Sequence, residues 1–268
     1  MDNEGRESGH LMHIMPERIF YAGLLGRTRE RCLGALLIYV ALKDGLRLSA
    51  ADGRESYGEL AVVPSNLRHT IASDYRSAVT LLIEPESVPA GTIEDFVWCL
   101  SGPEGERLAH RIRATYKQLP FALNRDDIAN TEFDLMCFGE ALPQRSIDPR
   151  IARSIVEIGR FSGEPVTAAR CAAVAGISSS RFLHLFKQET GTAFRDFRAW
   201  KRARHLLHFA NADINFAHLA QEMGYPDSTH FSHSIRRVYG LTPRAIFSGS
   251  RELAIHRSRA VPALTLGI

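Results

Sequence analysis

Residues 170–191 read RCAAVAGISSSRFLHLFKQETG, and residues 218–240 read HLAQEMGYPDSTHFSHSIRRVYG. Anchored on Phe182 and Phe231, the two segments stay in register through His184 and His233, Lys187 and Arg236, and Gly191 and Gly240. The side chains available at these positions are suited to hydrogen bonding. Ser180, Ser228, Thr229 and Ser232 carry hydroxyls, His184 and His233 carry imidazoles, and Leu183 offers an apolar contact. Arg181, Lys187, Arg236 and Arg237 add cations. Hydroxyls and imidazoles can bond to base edges and cations to phosphates, so the set fits double-stranded DNA.

Two helix-turn-helix units would position these groups. Each segment has an alanine four residues before a turn glycine: Ala172 before Gly176, and Ala220 before Gly224. A small side chain there lets two helices cross closely, and glycine tolerates the turn. Ser178 and Asp227 stand where N-caps belong. Helical spacing then turns Phe182, Leu185 and Phe186, or Phe231 and Ile235, inward, and it turns the polar set outward. Between the units, Phe194–Phe209 reads as a basic, apolar-periodic helix that fixes their separation. Two readers so joined match successive major-groove faces about 34 Å apart.

The charge distribution agrees with this arrangement. The net charge is +3, but residues 1–147 carry 16 Lys/Arg against 21 Asp/Glu, and the remainder carry 17 against 9. Only the second half is basic, as expected where one domain faces a polyanion. Cys32, Cys99, Cys137 and Cys171 lack the close pairing that zinc or thiol chemistry uses. The start of the chain has no basic region followed by an apolar run, and Ala35–Leu42 is too short to span a bilayer. The expected setting is the cytoplasm, at the nucleoid, with no membrane.

Residues 34–83 favour short strands (GALLIYVAL, RLSA, ELAVV, RHTI, SAVTLLI) with a turn at Asp52-Gly53. They predict a small antiparallel sandwich or barrel. Helices follow over Thr92–Leu100, Glu104–Lys117 and Asp126–Leu142. Phe133, Leu135, Met136 and Leu142 give the last one an apolar surface for the core or for a dimer. Residues 143–149 read as a linker, and Asp148-Pro149 as a helix start. The fold class is therefore α+β. A cupin-like β-sandwich or barrel with helices spans residues 1–142, an all-α domain with two helix-turn-helix units spans 150–250, and a loosely ordered tail spans 251–268.

The double unit, the joining helix and the closing YGLTPRAIF from Tyr239 resemble the AraC/XylS family of bacterial transcription regulators over roughly 100 residues. The resemblance implies base contacts from Ser180, Leu183 and His184 in the first reader, and from Ser228, Thr229, Ser232 and His233 in the second. It further implies activation of transcription, RNA polymerase as a partner, a homodimer, and an N-terminal domain that takes a small-molecule effector or a protein partner. The chain departs from the pattern in three places. Histidine stands at 184 and 233 where members often have arginine, Ile246-Phe247 replaces a Tyr-Arg pair, and the loop near Asn211 is about one residue short.

GELAVVPSNLRH, residues 58–69, is similar to the second cupin motif, with Asn66 where glycine is usual. The H-x-H pair of the first motif is missing, and one histidine cannot build a multi-ligand site. No metal, cofactor or catalytic residue is expected, and the chain reads as a non-enzyme. Phe20, Tyr39, His69 and Tyr75 are the candidate effector-pocket residues. The competing reading is a small-molecule-binding cupin whose basic tail meets DNA incidentally.

Overall fold

The computed structural model describes residues 10–99, 102–123, 127–160, 166–210, 215–247 and 253–260. The first half is built on two sheets. Strands β1 (Leu11–Ile14), β2 (Arg18–Leu24), β3 (Leu36–Ala41), β6 (Leu60–Val63) and β8 (Ser77–Ile83), joined by β9 (Ala254–Arg257), form a six-stranded sheet in the order β6-β3-β8-β2-β1-β9. Strands β4 (Leu46–Ala50), β5 (Glu55–Gly58) and β7 (His69–Ser73) form a second sheet in the order β5-β4-β7.

β3 is buried along its whole length because both of its faces are covered. Strand side chains alternate between faces, so Leu36, Ile38 and Val40 enter one core while Leu37, Tyr39 and Ala41 enter another. The first core is closed by α1 (Ala90–Cys99), α2 (Pro103–Leu123) and α3 (Asn130–Phe138), with Ile112, Leu119 and Phe133 fully buried. On α3, Phe133 faces this core while Leu135 is exposed. The same alternation places Phe20 against Tyr116 and Phe133, on the helix side.

The second core does not stop at the domain boundary. It holds Met12, Leu37, Tyr39 and Ile71 from the sheets together with Trp200, Ala203, Leu207 and Val238 from the C-terminal half. That half runs α4 (Pro149–Gly159), α5 (Ala168–Ala175), α6 (Ser179–Thr190), α7 (Phe194–Leu206), α8 (Phe216–Glu222), α9 (Ser228–Tyr239) and α10 (Pro243–Phe247). α4 starts at the Asp148-Pro149 pair, where the Asp148 carboxylate accepts a bond from the Arg150 amide at 2.8 Å.

The segment after α10 departs from the sequence reading. A loosely ordered tail was expected beyond residue 250, but residues 254–257 pair in parallel with β1. Their partner lies some 240 residues upstream, beyond the reach of local sequence pattern. No helix among the described residues is long and apolar enough to cross a membrane.

Candidate nucleic-acid interface and interdomain pocket

Each helix-turn-helix unit is assembled by local chemistry. In the first, Gly176 ends α5 in the left-handed region at φ 67°, and the Ser178 hydroxyl accepts from the Arg181 amide at 3.3 Å to start α6. In the second, Gly224 takes φ 68°, and the Asp227 carboxylate accepts from the Thr229 and His230 amides, both at 2.8 Å, to start α9. Ala172 and Ala220 are buried at the two crossings. Ala220→Leu is expected to overpack the second crossing and lower stability by about 1–3 kcal/mol, measured by denaturant unfolding. An unchanged midpoint would show that the helices do not need this close approach.

The inner faces anchor the readers. Phe186 packs edge-on against Phe194 and Phe197, with ring centroids 5.1 Å apart in each pair. Phe231 packs edge-on against Tyr225 at 5.4 Å. The outer faces carry the residues singled out from sequence: Ser180, Arg181, Leu183, His184 and Lys187 are exposed on α6. Ser228, Thr229, His233, Arg236 and Arg237 are exposed on α9, with Ser232 half-buried.

Two further residues shape the second reader. The His230 ring nitrogen lies 2.8 Å from the Asp227 carboxylate, so His230 braces the cap from the solvent side. Its spacing from Asp227, three residues as in a capping box, was the available signal. Arg202 on α7 lies over the Tyr225 ring at 4.8 Å and donates to the Gly224 carbonyl at 3.4 Å, which ties the turn to the joining helix.

α7 is also bolted to the N-terminal sheet. Glu84, just past β8 and almost fully buried, accepts from Trp200 Nε1 at 3.0 Å and from Lys201 Nζ at 2.6 Å, and it pairs with Arg204 at 2.7 Å. Lys201 reaches Glu86 as well, and Arg204 donates to the carbonyls of Met15 and Pro16. Burial pushes the Glu84 carboxyl up, but Lys201 and Arg204 hold it below its ordinary value; burial, with Glu84 beside it, raises Glu86.

A cavity of about 240 Å³ lies at the junction of the two halves. Met12, Tyr21, Leu33 and Tyr39 line it from the sheet side, with Leu207, Tyr239 and Ile246 opposite. The wall is mostly apolar, with one buried cation, Arg31. Its Nη2 donates to the Leu25 carbonyl at 3.1 Å, its Nε has no partner, and it has no carboxylate in ion-pair range among the described residues. Next to it the Tyr39 hydroxyl meets His69 Nε2 at 2.9 Å, while His69 Nδ1 lies 2.9 Å from the Leu67 carbonyl. Burial, reinforced by Arg31, pushes the His69 imidazole down to about 4, so it is neutral at pH 7.

Of the four residues proposed for an effector pocket, Tyr39 lines this cavity, and His69 stands behind it, bonded to the Tyr39 hydroxyl. Phe20 and Tyr75 lie away from it. Phe20 is in the opposite core, and Tyr75 is a surface residue beneath Lys43. Arg31 was missed because a single arginine in a loop carries no local pattern. In the cupin-like motif, Asn66 takes φ 62°, which explains why it can replace a glycine there.

Comparison with known proteins bears on both halves. A helix-turn-helix domain family model matches residues 171–248. Invasion protein InvF of Salmonella typhi is 32% identical over 72 residues, which is 26% of this chain and a third of that protein's length. ToxT of Vibrio cholerae O395 superposes with a TM-score of 0.55 at 9% identity, covering 87% of this chain and 98% of ToxT. ToxT of strain SCE256 with an unsaturated fatty acid bound gives 0.54 at 12% identity, covering 88% and 98%. The ToxT likeness is one of fold and extends through both halves, α+β with a β-rich N-terminal domain. Both turns, both reader helices and the joining helix fall within the matched segment, so residues 171–248 carry a helix-turn-helix domain similar to that of InvF.

Proposed function

We propose that the chain binds promoter DNA sequence-specifically, reading two successive major-groove segments with α6 and α9. What carries this reading is the pair of capped, outward-facing helices, each with a histidine at the same register, mounted on the single helix α7. Direct guanine forks are missing at 184 and 233, so each imidazole makes one bond to a base or phosphate. His233→Ala is expected to weaken binding to a duplex selected in vitro by about tenfold and to leave binding to random DNA nearly unchanged. Arg236→Ala should weaken both about equally and flatten the salt dependence by one phosphate contact. Equal losses on both duplexes for His233→Ala, measured by fluorescence anisotropy, would assign it to the backbone.

We further infer that the N-terminal domain controls the readers through the interdomain cavity, and that its ligand is a small molecule with an apolar body and an acidic head. A buried guanidinium whose partners, the Leu25 carbonyl and the Tyr39 hydroxyl, are neutral and whose Nε is unbonded keeps an uncompensated charge, and an anionic head group would satisfy it. The apolar wall suits a hydrocarbon body, as does the fatty acid bound by ToxT. Oleate is expected to raise the thermal midpoint of the protein, and oleyl alcohol to raise it much less. In Arg31→Met the difference between the two should vanish. Equal shifts by both ligands in the unaltered chain would exclude the acidic head.

A further inference from the structure

The C-terminal segment is joined to the rest of the molecule in three places. Its strand β9 pairs in parallel with β1 from Leu11–Ala254 to Ile14–Arg257, and it is flanked by bonds from the Ala254 amide to the His10 carbonyl and from the Ser258 amide to the Ile14 carbonyl, both 2.9 Å. Asp127, in the loop before α3, accepts from the Arg259 amide at 3.0 Å and lies 3.4 Å from the Ser258 hydroxyl. Arg257 donates to the carbonyl of His208, at the end of α7. One short segment therefore touches the sheet, the helix layer and the joining helix.

The same segment stands at the edge of the cavity. Leu253, only 6% exposed, lines it beside Met12 and Ile246, and His10, the acceptor for Ala254, lines it too. β9 is also a strand that is easily lost. It is four residues long, it has a single neighbour at the sheet edge, and Ala254 and Arg257 are exposed. Short edge segments with few buried contacts are the ones that open first.

We propose that residues 253–258 are a latch: seated on β1, the segment closes the interdomain cavity and holds the second reader against the N-terminal domain, and its release opens both. Elsewhere the second reader meets the N-terminal domain through Val238, in the shared core, and through two backbone contacts. The Cys32 amide donates to the carbonyls of Arg237 and Val238 at 3.1 Å, and Gly240 packs on the Glu30 carbonyl, where a Cβ would stand 3.1 Å away. Ile255 of β9 packs against the core that holds Phe231 and Ile235, so the second reader loses that cover once β9 leaves. The closure of the cavity rests on the ligand reading above; the restraint on the reader does not.

The test uses the full chain in two altered forms. Leu11→Cys with Ala254→Cys places two thiols at paired positions whose spacing in a sheet falls within disulfide range, so oxidation locks the latch and reduction frees it. A second form ends at residue 252. Uptake of cis-parinaric acid, a fluorescent unsaturated fatty acid, is expected to be at least tenfold slower in the oxidised form than in the reduced form, and at least tenfold faster in the truncated form than in the unaltered chain. Without ligand, the truncated chain should bind the in-vitro-selected duplex at least tenfold more tightly than the oxidised form. Equal uptake rates together with equal DNA affinities overturn the latch. If no form takes up the probe but the DNA contrast holds, the ligand reading falls and the latch stands as a restraint on the reader. The oxidised form, which keeps every residue of the segment, decides the matter even if truncation prevents folding.

Discussion

Glu84→Ala is expected to destabilise the protein by about 3–5 kcal/mol, because it leaves Arg204 and the Trp200 indole nitrogen buried without their shared acceptor and Lys201 with only Glu86. Removing one member of a buried pair costs more than the pair itself is worth, since the remaining charge keeps its desolvation cost with nothing to offset it. Glu84→Gln, which keeps an acceptor oxygen but no charge, should lose less. The measurement is urea unfolding of each variant, alone and in an Arg204→Ala background. If the network is one unit, the second substitution costs much less after the first. A loss under about 1 kcal/mol for Glu84→Ala would show that water reaches the site and that these bonds do not hold α7 to the sheet.

Acid should destabilise the molecule well before its carboxylates titrate. Burial holds His69 and His205 down to about 4 and His208 to about 3, with Arg31 adding to the effect at His69, Arg204 at His205, and His205, Arg204 and Arg257 at His208. Each folded value lies below the unfolded value of 6.5, so the folded state binds these protons more weakly than the unfolded chain does. Stability is therefore full above about pH 6.5 and falls as the pH drops toward the folded values. At pH 5 each of the three costs about 2 kcal/mol, and the slope between pH 6 and 5 approaches three protons, about 4 kcal/mol per pH unit. His13 and His256, paired across β1 and β9 and both held down first by burial, act in the same direction. Unfolding free energies from urea titrations at pH 7.5, 6 and 5 provide the check, and His208→Gln should remove one proton from the slope. A slope below one proton in that window would mean that these rings are hydrated in the folded state.

The readers were legible in the sequence because everything that makes them is local. Helical period, an alanine at a crossing, a glycine after it and a capping Ser178 or Asp227 all lie within about twenty residues, and the structure puts each where that pattern places it. The N-terminal half was legible in kind but not in facing. Phe20 and Tyr39 are both buried aromatics, and only the register of β2 and β3 against β8 sends one to the helices and the other to the cavity. β1 and β2 went unread because Pro16 breaks their apolar run. AIHR, residues 254–257, has too little apolar alternation to announce a strand, and it becomes one only against β1. Arg31 matters through what surrounds it in space, and a sequence does not carry that information.

The apolar core shared by the two halves limits how the protein can be divided. Cut at the linker, the C-terminal piece would expose Trp200, Ala203, Leu207 and Val238 to water, and the sheet would lose the cover over Tyr39 and Leu37. A helix-turn-helix domain that could be exchanged freely between sensors needs a closed surface of its own, and this one has given part of its surface to its neighbour. The halves are expected to melt in a single cooperative calorimetric transition. Grafting either half onto a foreign partner would require a new seam to be built along α7.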